Sequence, residues 1–205
     1  MGKLETNKQQ KLTSLLNTAF NLFTTQGVTK TSIAEISQKA GIAKGTFYLY
    51  FKDKYDIRNR LISHESSKLF KNAVADLEEF SKEKNEQLGF EEKIIFIINN
   101  IVDELNSNQT LLTFISKNLS WGIFKEALTT KVASDDINFK DVYYEMINAE
   151  DISLEEPEIM LFLIVELVSS TCYSAILYKE PADIDTIKPY LFKTVRAIIK
   201  EHTIR

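Results

Sequence analysis

The chain has 205 residues with a formal net charge of −4, and it contains three prolines, six glycines and one cysteine. This length supports a buried core without covalent staples, and the lone Cys172 excludes a disulfide within the chain. The scarcity of proline and glycine, with apolar residues recurring at helical spacing, predicts an all-α fold. The polar start MGKLETNKQQKL lacks the apolar stretch of a secretory signal, so we expect a cytoplasmic protein.

Charge is divided unequally along the chain. Residues 1–60 contain ten Lys or Arg and four Asp or Glu, a net charge of +6, whereas residues 61–205 contain 15 and 25, a net charge of −10. Because nucleic-acid binding depends on the local charge of a surface, the acidic total does not exclude it. An excess of lysine in a short segment is also common without any such role. Whether this segment binds nucleic acid must therefore be judged from its sequence pattern.

The first two predicted helices lie in the basic segment. Apolar residues at steps of three and four predict an amphipathic helix over residues 7–25, which Gly27 ends. Ser32 and Glu35 have the spacing of a capping box, in which a hydroxyl and a carboxylate satisfy free amides at a helix start. This second helix is short and closes before Gly41.

The remaining elements are also predicted to be helical. A short third helix is expected over residues 43–50, and Asp53 is the predicted N-cap of a long fourth helix from Lys54 to about Phe80. The polar segment 81–89 predicts a loop. Further helices are predicted at residues 90–106, 109–128 with a break near Gly122, 136–149, 157–178 and 184–201. With the first four, the whole chain is expected to have about nine helices.

Two short helices separated by a glycine-containing turn have the pattern of a helix-turn-helix, whose second helix can lie in the major groove of DNA. Ser37 is small enough to let the two helices cross closely, and Gly41 relieves the turn. The residues predicted to fill the space between the helices are Ile33, Ile36, Ala40, Ile42 and Phe47.

The outward residues of the third helix suit a DNA interface. Gly45 is unfavourable inside a helix but useful where the backbone approaches DNA closely. Lys54 and the free amides at the start of the fourth helix offer a charge and donors to a phosphate. The outward side chains are Lys44, Thr46, Tyr48 and Tyr50.

The segment TSIAEISQKAGIAKGTFYLYFKDKYDI resembles the DNA-binding signature of the TetR (tetracycline-repressor-like) family of bacterial regulators. The resemblance covers about residues 9–60, and the ordered run G-I-A-K-G-T-F-Y-x-Y-F-x-x-K makes it specific. It implies that Thr31 or Ser32 and Tyr48 contact phosphates and that Lys54 anchors the backbone. It also implies that Lys44, Gly45 and Thr46 open the recognition helix. The predicted DNA-binding residues are Thr31, Ser32, Lys44, Gly45, Thr46, Tyr48, Leu49, Tyr50 and Lys54.

Two residues depart from the family pattern. Ala43 stands where the family commonly has a capping serine, and Ala34 lacks the long polar side chain with which some members contact bases from the second helix. Base recognition in this chain is therefore expected to depend on fewer side chains.

Residues 159–178 are apolar on nearly every helical face and long enough to cross a bilayer. Glu166 and several hydroxyl residues favour instead a helix buried on one side by its own domain and on the other by a second subunit. The family resemblance implies the same arrangement, with the last two helices pairing across a two-fold axis. The predicted dimer interface is Leu163, Leu167, Ser170, Ser174, Leu191, Val195 and Ile198.

Neither a catalytic constellation nor a metal site is evident in the sequence. His64 and His202 lack supporting ligand spacing, so we expect no metal, no cofactor and no enzymatic activity. The C-terminal part is rich in aromatic residues, each of which core packing also explains. The candidate effector contacts are Phe96, Phe114, Trp121, Phe124, Tyr143 and Tyr173.

These observations predict a helix-turn-helix domain at residues 1–52 and an effector-binding and dimerisation domain at residues 53–205. The expected protein is a homodimeric repressor that binds a palindromic operator in double-stranded DNA until a small effector shifts the separation of the recognition helices. The apolar composition favours a lipophilic effector, although an acyl thioester fits if Lys117 or Lys125 converges on the site. Two alternatives remain. One is a DNA-binding protein of this fold that is controlled by a protein partner. The other is a helical ligand-binding or enzymatic protein that merely retains the amino-terminal helix-turn-helix domain.

Overall fold

The structure, a computed structural model, describes residues 3–85, 87–118, 139–150 and 152–204. Within these ranges the chain is helical apart from its loops and one isolated antiparallel bridge between Leu154 and Thr203, which confirms the all-α prediction. The described helices are α1 (Lys3–Thr25), α2 (Ile33–Lys39), α3 (Lys44–Phe47), α4 (Lys54–Lys84), α5 (Phe90–Ser107), α6 (Gln109–Asn118), α7 (Phe139–Asn148), α8 (Pro157–Leu177) and α9 (Ile184–His202).

The described chain divides into two compact units. The first contains α1, α2, α3 and residues 54–66 of α4, and the second begins at Ser67 and includes the rest of α4, α5 and α7 to α9. The functional boundary expected at residue 52 lies just before α4 and stays a prediction.

The first unit is built on α1, whose apolar residues recur every three or four positions and therefore share one face. Leu15, Ala19 and Leu22 on this face are buried, and α1 ends before Gly27, whose positive φ of 85° suits glycine. Helix α2 contacts both α1 and α3. The other fully buried side chains of this unit include Ile36, Phe47, Phe51, Ile57, Leu61 and Ile62.

The second unit has two regions of packed apolar side chains. In one, buried Phe70, Ala73 and Leu77 of α4 cluster with Ile97 of α5. In the other, α8 packs against α9 and α5, and buried residues such as Val195 come from the apolar stripe of α9. Since α8 is apolar almost all round, burying one side of it leaves apolar residues on the other.

Polar contacts fix the start of α5 to distant parts of the second unit. Gly89, the N-cap residue, has no side chain to offer, and the Glu150 carboxylate instead accepts a hydrogen bond from the Phe90 amide at 2.5 Å. The same carboxylate pairs with Lys93 at 2.6 Å, and Arg196 of α9 pairs with Glu91. A carboxylate at a helix N-terminus is also favoured by the helix dipole.

Several predicted boundaries differ from the observed ones. Helix α1 begins at Lys3 rather than at residue 7, and α4 continues to Lys84 instead of ending near Phe80, because the residues of segment 81–84 are compatible with a helix. Helix α3 covers only Lys44–Phe47 of the predicted 43–50, and the next three residues form a turn. Of the helix expected at 109–128, residues 119–128 and the break near Gly122 lie outside the described residues.

Candidate nucleic-acid interface

The turn between α2 and α3 has the geometry of a Schellman motif, a common helix ending that places a left-handed residue just past the helix. Gly41 occupies that position with φ of 70°. Its amide donates to the carbonyl of Gln38 at 3.1 Å, and the Ile42 amide donates to the carbonyl of Ser37 at 2.9 Å. These bonds satisfy the last carbonyls of α2 and fix the direction in which α3 leaves the turn.

The start of α2 has the hydroxyl half of the predicted capping box. The Ser32 hydroxyl accepts a hydrogen bond from the Glu35 amide at 3.1 Å. The Glu35 carboxylate accepts from the Gln26 side chain at 2.8 Å and pairs with Lys39 at 3.2 Å. The Gln26 hydrogen bond, then Lys39, lowers the pKa of Glu35 below its ordinary value. The carboxylate therefore connects α2 to the end of α1.

Two buried phenylalanines hold α3 and the turn that follows it. Phe47 and Phe51 are 0% and 2% exposed, and their ring centroids are 5.5 Å apart. Between them, the amide of Leu49 donates to the carbonyl of Thr46 at 3.1 Å, and the amide of Tyr50 donates to that of Phe47 at 2.9 Å. Residues 48–50 are thus anchored at both ends.

The opposite side of this segment is exposed. Lys44 and Gly45 are exposed, as are Tyr48 and Leu49 with 52% and 82% of their surface accessible. These four positions lie on one side of a helical turn, because residues three or four positions apart share a face. A Cβ added to Gly45 would meet nothing within 4 Å, so the described protein itself does not require glycine there.

The other residues predicted to contact DNA are partly or fully buried, or have side chains that already bond within the protein. Thr31 is buried, and its hydroxyl donates to the Gly27 carbonyl at 2.8 Å. Thr46 is half-buried, and half-buried Tyr50 directs its hydroxyl to the carbonyl of Lys8 at 3.4 Å. Ser32 is exposed, although its hydroxyl already caps α2. The exposed positions among the nine predicted are therefore Ser32, Lys44, Gly45, Tyr48 and Leu49.

Lys54 has an internal role that the sequence did not indicate. Its ammonium group donates to the carbonyl oxygens of Thr29 at 2.9 Å and Thr31 at 3.2 Å, holding the loop between α1 and α2. The N-cap predicted for α4 is confirmed, because the Asp53 carboxylate accepts from the amides of Tyr55 and Asp56 at 2.7 and 2.9 Å.

Basic and aromatic residues outside the predicted set lie at the start of α4. Lys52 is exposed, and Tyr55, 49% exposed, has the guanidinium of Arg58 at 5.3 Å from its ring centroid. Arg60 pairs with Asp56 at 3.0 Å. The spacing of Tyr55 and Arg58, three residues apart on a helix, is the signal that could have found this pair.

The residues proposed for the effector lie in different surroundings. Phe114 and Tyr143 are buried, and the Tyr143 hydroxyl donates to the carbonyl of Pro157 at 3.0 Å, with burial raising its pKa. Phe96 is half-buried with its ring centroid 5.2 Å from that of Phe80. Half-buried Tyr173 pairs through its hydroxyl with Tyr178 at 3.0 Å. Trp121 and Phe124 lie outside the described residues.

The predicted dimer residues separate into two groups. Leu191 and Val195 are 3% and 0% exposed, so they pack in the core of the single chain, and their part in an interface stays a prediction. Leu163 and Ser170 are exposed on α8. Leu167, Ser174 and Ile198 are half-buried. The exposed members of the predicted set are therefore both on α8, and the interface itself stays a prediction.

Among the described residues, α8 is also the one helix with the length and apolarity that a membrane span requires. Core helices of soluble proteins share these properties, so they are weak support for a membrane role. The described residues contain no group of three or more His, Cys, Asp or Glu side chains placed to hold a metal ion.

Comparison with known proteins gives matches concentrated in the first unit. Residues 15–61 match the family model described as bacterial regulatory proteins of the tetR family. The HTH-type transcriptional regulator AcrR of Shigella flexneri is 40% identical over 55 residues, covering 27% of this chain and 26% of that protein. The fatty acid metabolism regulator protein of Bacillus subtilis is 31% identical over 72 residues, covering 35% and 37%. The matched segment thus spans about a quarter to a third of these relatives.

Solved structures extend the similarity in fold to nearly the whole chain. A tetR family transcription regulator from Shewanella sp. PV-4 has a TM-score of 0.66 at 15% identity, covering 95% of this chain and 99% of its own. The FadR regulator of Bacillus subtilis in complex with stearoyl-CoA has a TM-score of 0.56 at 17% identity, covering 91% and 98%. These matches show that residues 15–61 are similar to the tetR family of bacterial regulatory proteins and that the chain has the fold of TetR-family structures.

Proposed function

We propose that the protein is a DNA-binding transcriptional regulator that uses the exposed side of α3 and of the turn that follows it to recognise double-stranded DNA. The observation that carries this proposal is the exposed group Lys44, Gly45, Tyr48 and Leu49, which two buried phenylalanines and a Schellman turn hold in place. The net charge of +6 over residues 1–60 supplies attraction to phosphates. The family model describes regulatory proteins, so no catalytic activity is assigned.

Within this interface we assign different tasks to different residues. Lys44 and Leu49 face the bases, Tyr48 and the exposed Lys52 contact the phosphate backbone, and Lys54 acts through the loop that it holds. Salt dependence of the affinity tests this division. The logarithm of the association constant should fall linearly with the logarithm of the salt concentration, and Lys52→Ala should make that slope shallower by about one. DNA affinity that does not respond to salt would contradict the proposal.

A two-fold dimer on a palindromic operator, in the cytoplasm, fits the same fold. Two copies of α3 would then reach successive major grooves, about 34 to 36 Å apart. The exposed apolar and small residues of α8 support a partner on that face, since Leu163 is 42% and Ile159 50% exposed. Light scattering of the full chain across concentrations tests this part, and a monomer that binds a single half-site would contradict it.

We further propose repression relieved by a lipophilic effector that binds in the second unit. The aromatic and aliphatic content of that unit favours a ligand with a large apolar part. Two similar proteins carry names that refer to fatty acids or a fatty acyl thioester, which makes an acyl chain the first class to test. Stearoyl-CoA and free stearate should each be added to a preformed DNA complex. Release by either supports the proposal, and release by neither across the tested lipids favours control by a protein partner.

A further inference from the structure

We propose that Leu49 recognises a thymine of the operator through its 5-methyl group, an inference that rests on the DNA-binding function proposed above. Leu49 is 82% exposed, more than any other large hydrophobic side chain in the described part of the chain. A single exposed leucine is ordinary on a protein surface. Its position in the recognition element is what gives this one a role.

The backbone presents Leu49 in a fixed direction. Its amide is bonded to the carbonyl of Thr46 at 3.1 Å, and Tyr48 before it keeps helical dihedral angles of −69° and −10°. The buried Phe47 and Phe51 anchor the chain on both sides. An apolar group in a flexible loop would gain little from a specific contact because ordering its backbone costs entropy, whereas the backbone at Leu49 is already fixed by these contacts.

The surface at Gly45 is open as well. This position has no side chain, and a Cβ built there would meet nothing within 4 Å, the side chain of Leu49 included. The exposed side of this segment therefore carries no bulk at Gly45, and the flat edge of a base pair can approach the backbone there and still reach the methyl groups of Leu49.

Major-groove chemistry then selects the base. Each base pair displays a distinct pattern in this groove, and thymine alone among the four standard bases carries a methyl group there. Leucine has neither a hydrogen-bond donor nor an acceptor, so packing it on the amino or carbonyl groups of other bases would leave those groups unpaired. An apolar contact with the thymine methyl has no such cost.

The test uses the full chain and a duplex that the wild-type protein selects from random DNA. Each thymine is replaced singly by deoxyuridine, which removes only the methyl group, and affinity is measured by fluorescence anisotropy. At one thymine of the half-site, deoxyuridine should weaken wild-type binding about fourfold, as expected for the loss of one buried methyl-sized group. Leu49→Ala should bind the two duplexes equally, whereas Leu49→Met, which stays apolar, should still distinguish them.

Ile204→Ala is the matched control, because Ile204 is an exposed isomer of leucine in the second unit, 57% accessible. It should reproduce the wild-type dependence on the methyl group. The role proposed for Leu49 is contradicted if the wild type selects and binds a duplex but deoxyuridine has no effect at any position. It is also contradicted if deoxyuridine has the same effect on the binding of Leu49→Ala and Leu49→Met. In both cases the DNA-binding function stands. If the wild type selects no duplex, both proposals fail.

Discussion

The ammonium group of Lys54 lies 2.9 Å from the carbonyl oxygen of Thr29, 25 residues earlier in the chain. A second bond at 3.2 Å reaches the carbonyl of Thr31, so one side chain at the start of α4 holds the loop that leads into α2. Lys54 therefore stabilises the helix-turn-helix from within, whatever contact it makes with DNA.

Lys54→Ala should lower the stability of the first unit and weaken DNA binding on every sequence alike. Loss of hydrogen bonds from a charged donor should cost about 1 to 3 kcal/mol, measured by urea unfolding. Lys54→Met is the matched variant, since it keeps the apolar stem and removes the donors. Full stability in both variants, with only a lower salt slope, would show that Lys54 is a phosphate contact alone.

Two glycines of the recognition element should respond to alanine in opposite ways. Gly41 has φ of 70°, a conformation that costs other residues about 1 to 2 kcal/mol, so Gly41→Ala should lower stability. Gly45 has open space around its missing side chain, and Gly45→Ala should raise the stability of the free protein by about 0.5 to 1 kcal/mol.

The same Gly45→Ala variant should bind DNA more weakly, by about 1 to 3 kcal/mol, if the backbone there lies against a base edge. Thermal unfolding and anisotropy on one preparation give both quantities. A variant that is more stable and binds DNA as well as the wild type would contradict the close approach at Gly45.

The acid side of the stability curve should depend on Glu35. Because its folded-state pKa is lowered, mainly by Gln26 and Lys39, the stabilisation is present above the ordinary value of 4.5 and is lost as pH falls through the lower folded value. The Glu35→Gln variant should therefore have a lower free energy of unfolding than the wild type near neutral pH. The difference between the two should shrink as the pH falls through the folded-state pKa of Glu35. Chemical unfolding at a series of pH values checks this. An equal difference at all pH values would exclude the linkage.

Cys172 should be unreactive in the folded protein. Burial raises the pKa of its thiol to about 12, although Lys188 lowers it in part, so little thiolate exists near neutral pH. A colour-forming disulfide reagent at pH 8 should label the thiol only as fast as the protein opens, and at once in urea. Rapid labelling of the native chain would contradict the packing of α8.

The two groups of predicted dimer residues should separate in experiment. Leu191→Ala should lower stability by about 2 to 5 kcal/mol, because its side chain is 3% exposed in the core. Ser170→Glu, at an exposed position of α8, should leave the monomer folded and prevent dimerisation, with Asn72→Glu as an exposed control on α4. Light scattering that finds Ser170→Glu dimeric would place the interface elsewhere.

Local signals in the sequence predicted much of the first unit. Ser32 and Asp53 cap α2 and α4 as expected, because capping depends on residues within three positions of each other. Gly41 likewise occupies the left-handed position of the turn. The exposure of Tyr48 and the burial of Phe47 followed from helical periodicity.

Features that depend on distant contacts could not be read in this way. Glu150 caps α5 from 60 residues away in the chain. Lys54 donates to backbone carbonyl groups, which every residue has, so no residue type indicates the contact. Leu191 and Val195 belong to an apolar stripe that could serve either a partner or the core, and periodicity does not distinguish the two. In the structure α8 occupies that stripe within the chain.

Selection of bound fragments from a random pool of duplex DNA by the purified full-length chain tests the central claim most directly. We predict enrichment of an inverted repeat whose half-sites lie about one helical turn apart, and loss of that preference in Lys44→Ala. A pool that stays random after repeated rounds at low ionic strength would contradict DNA recognition by the exposed side of α3.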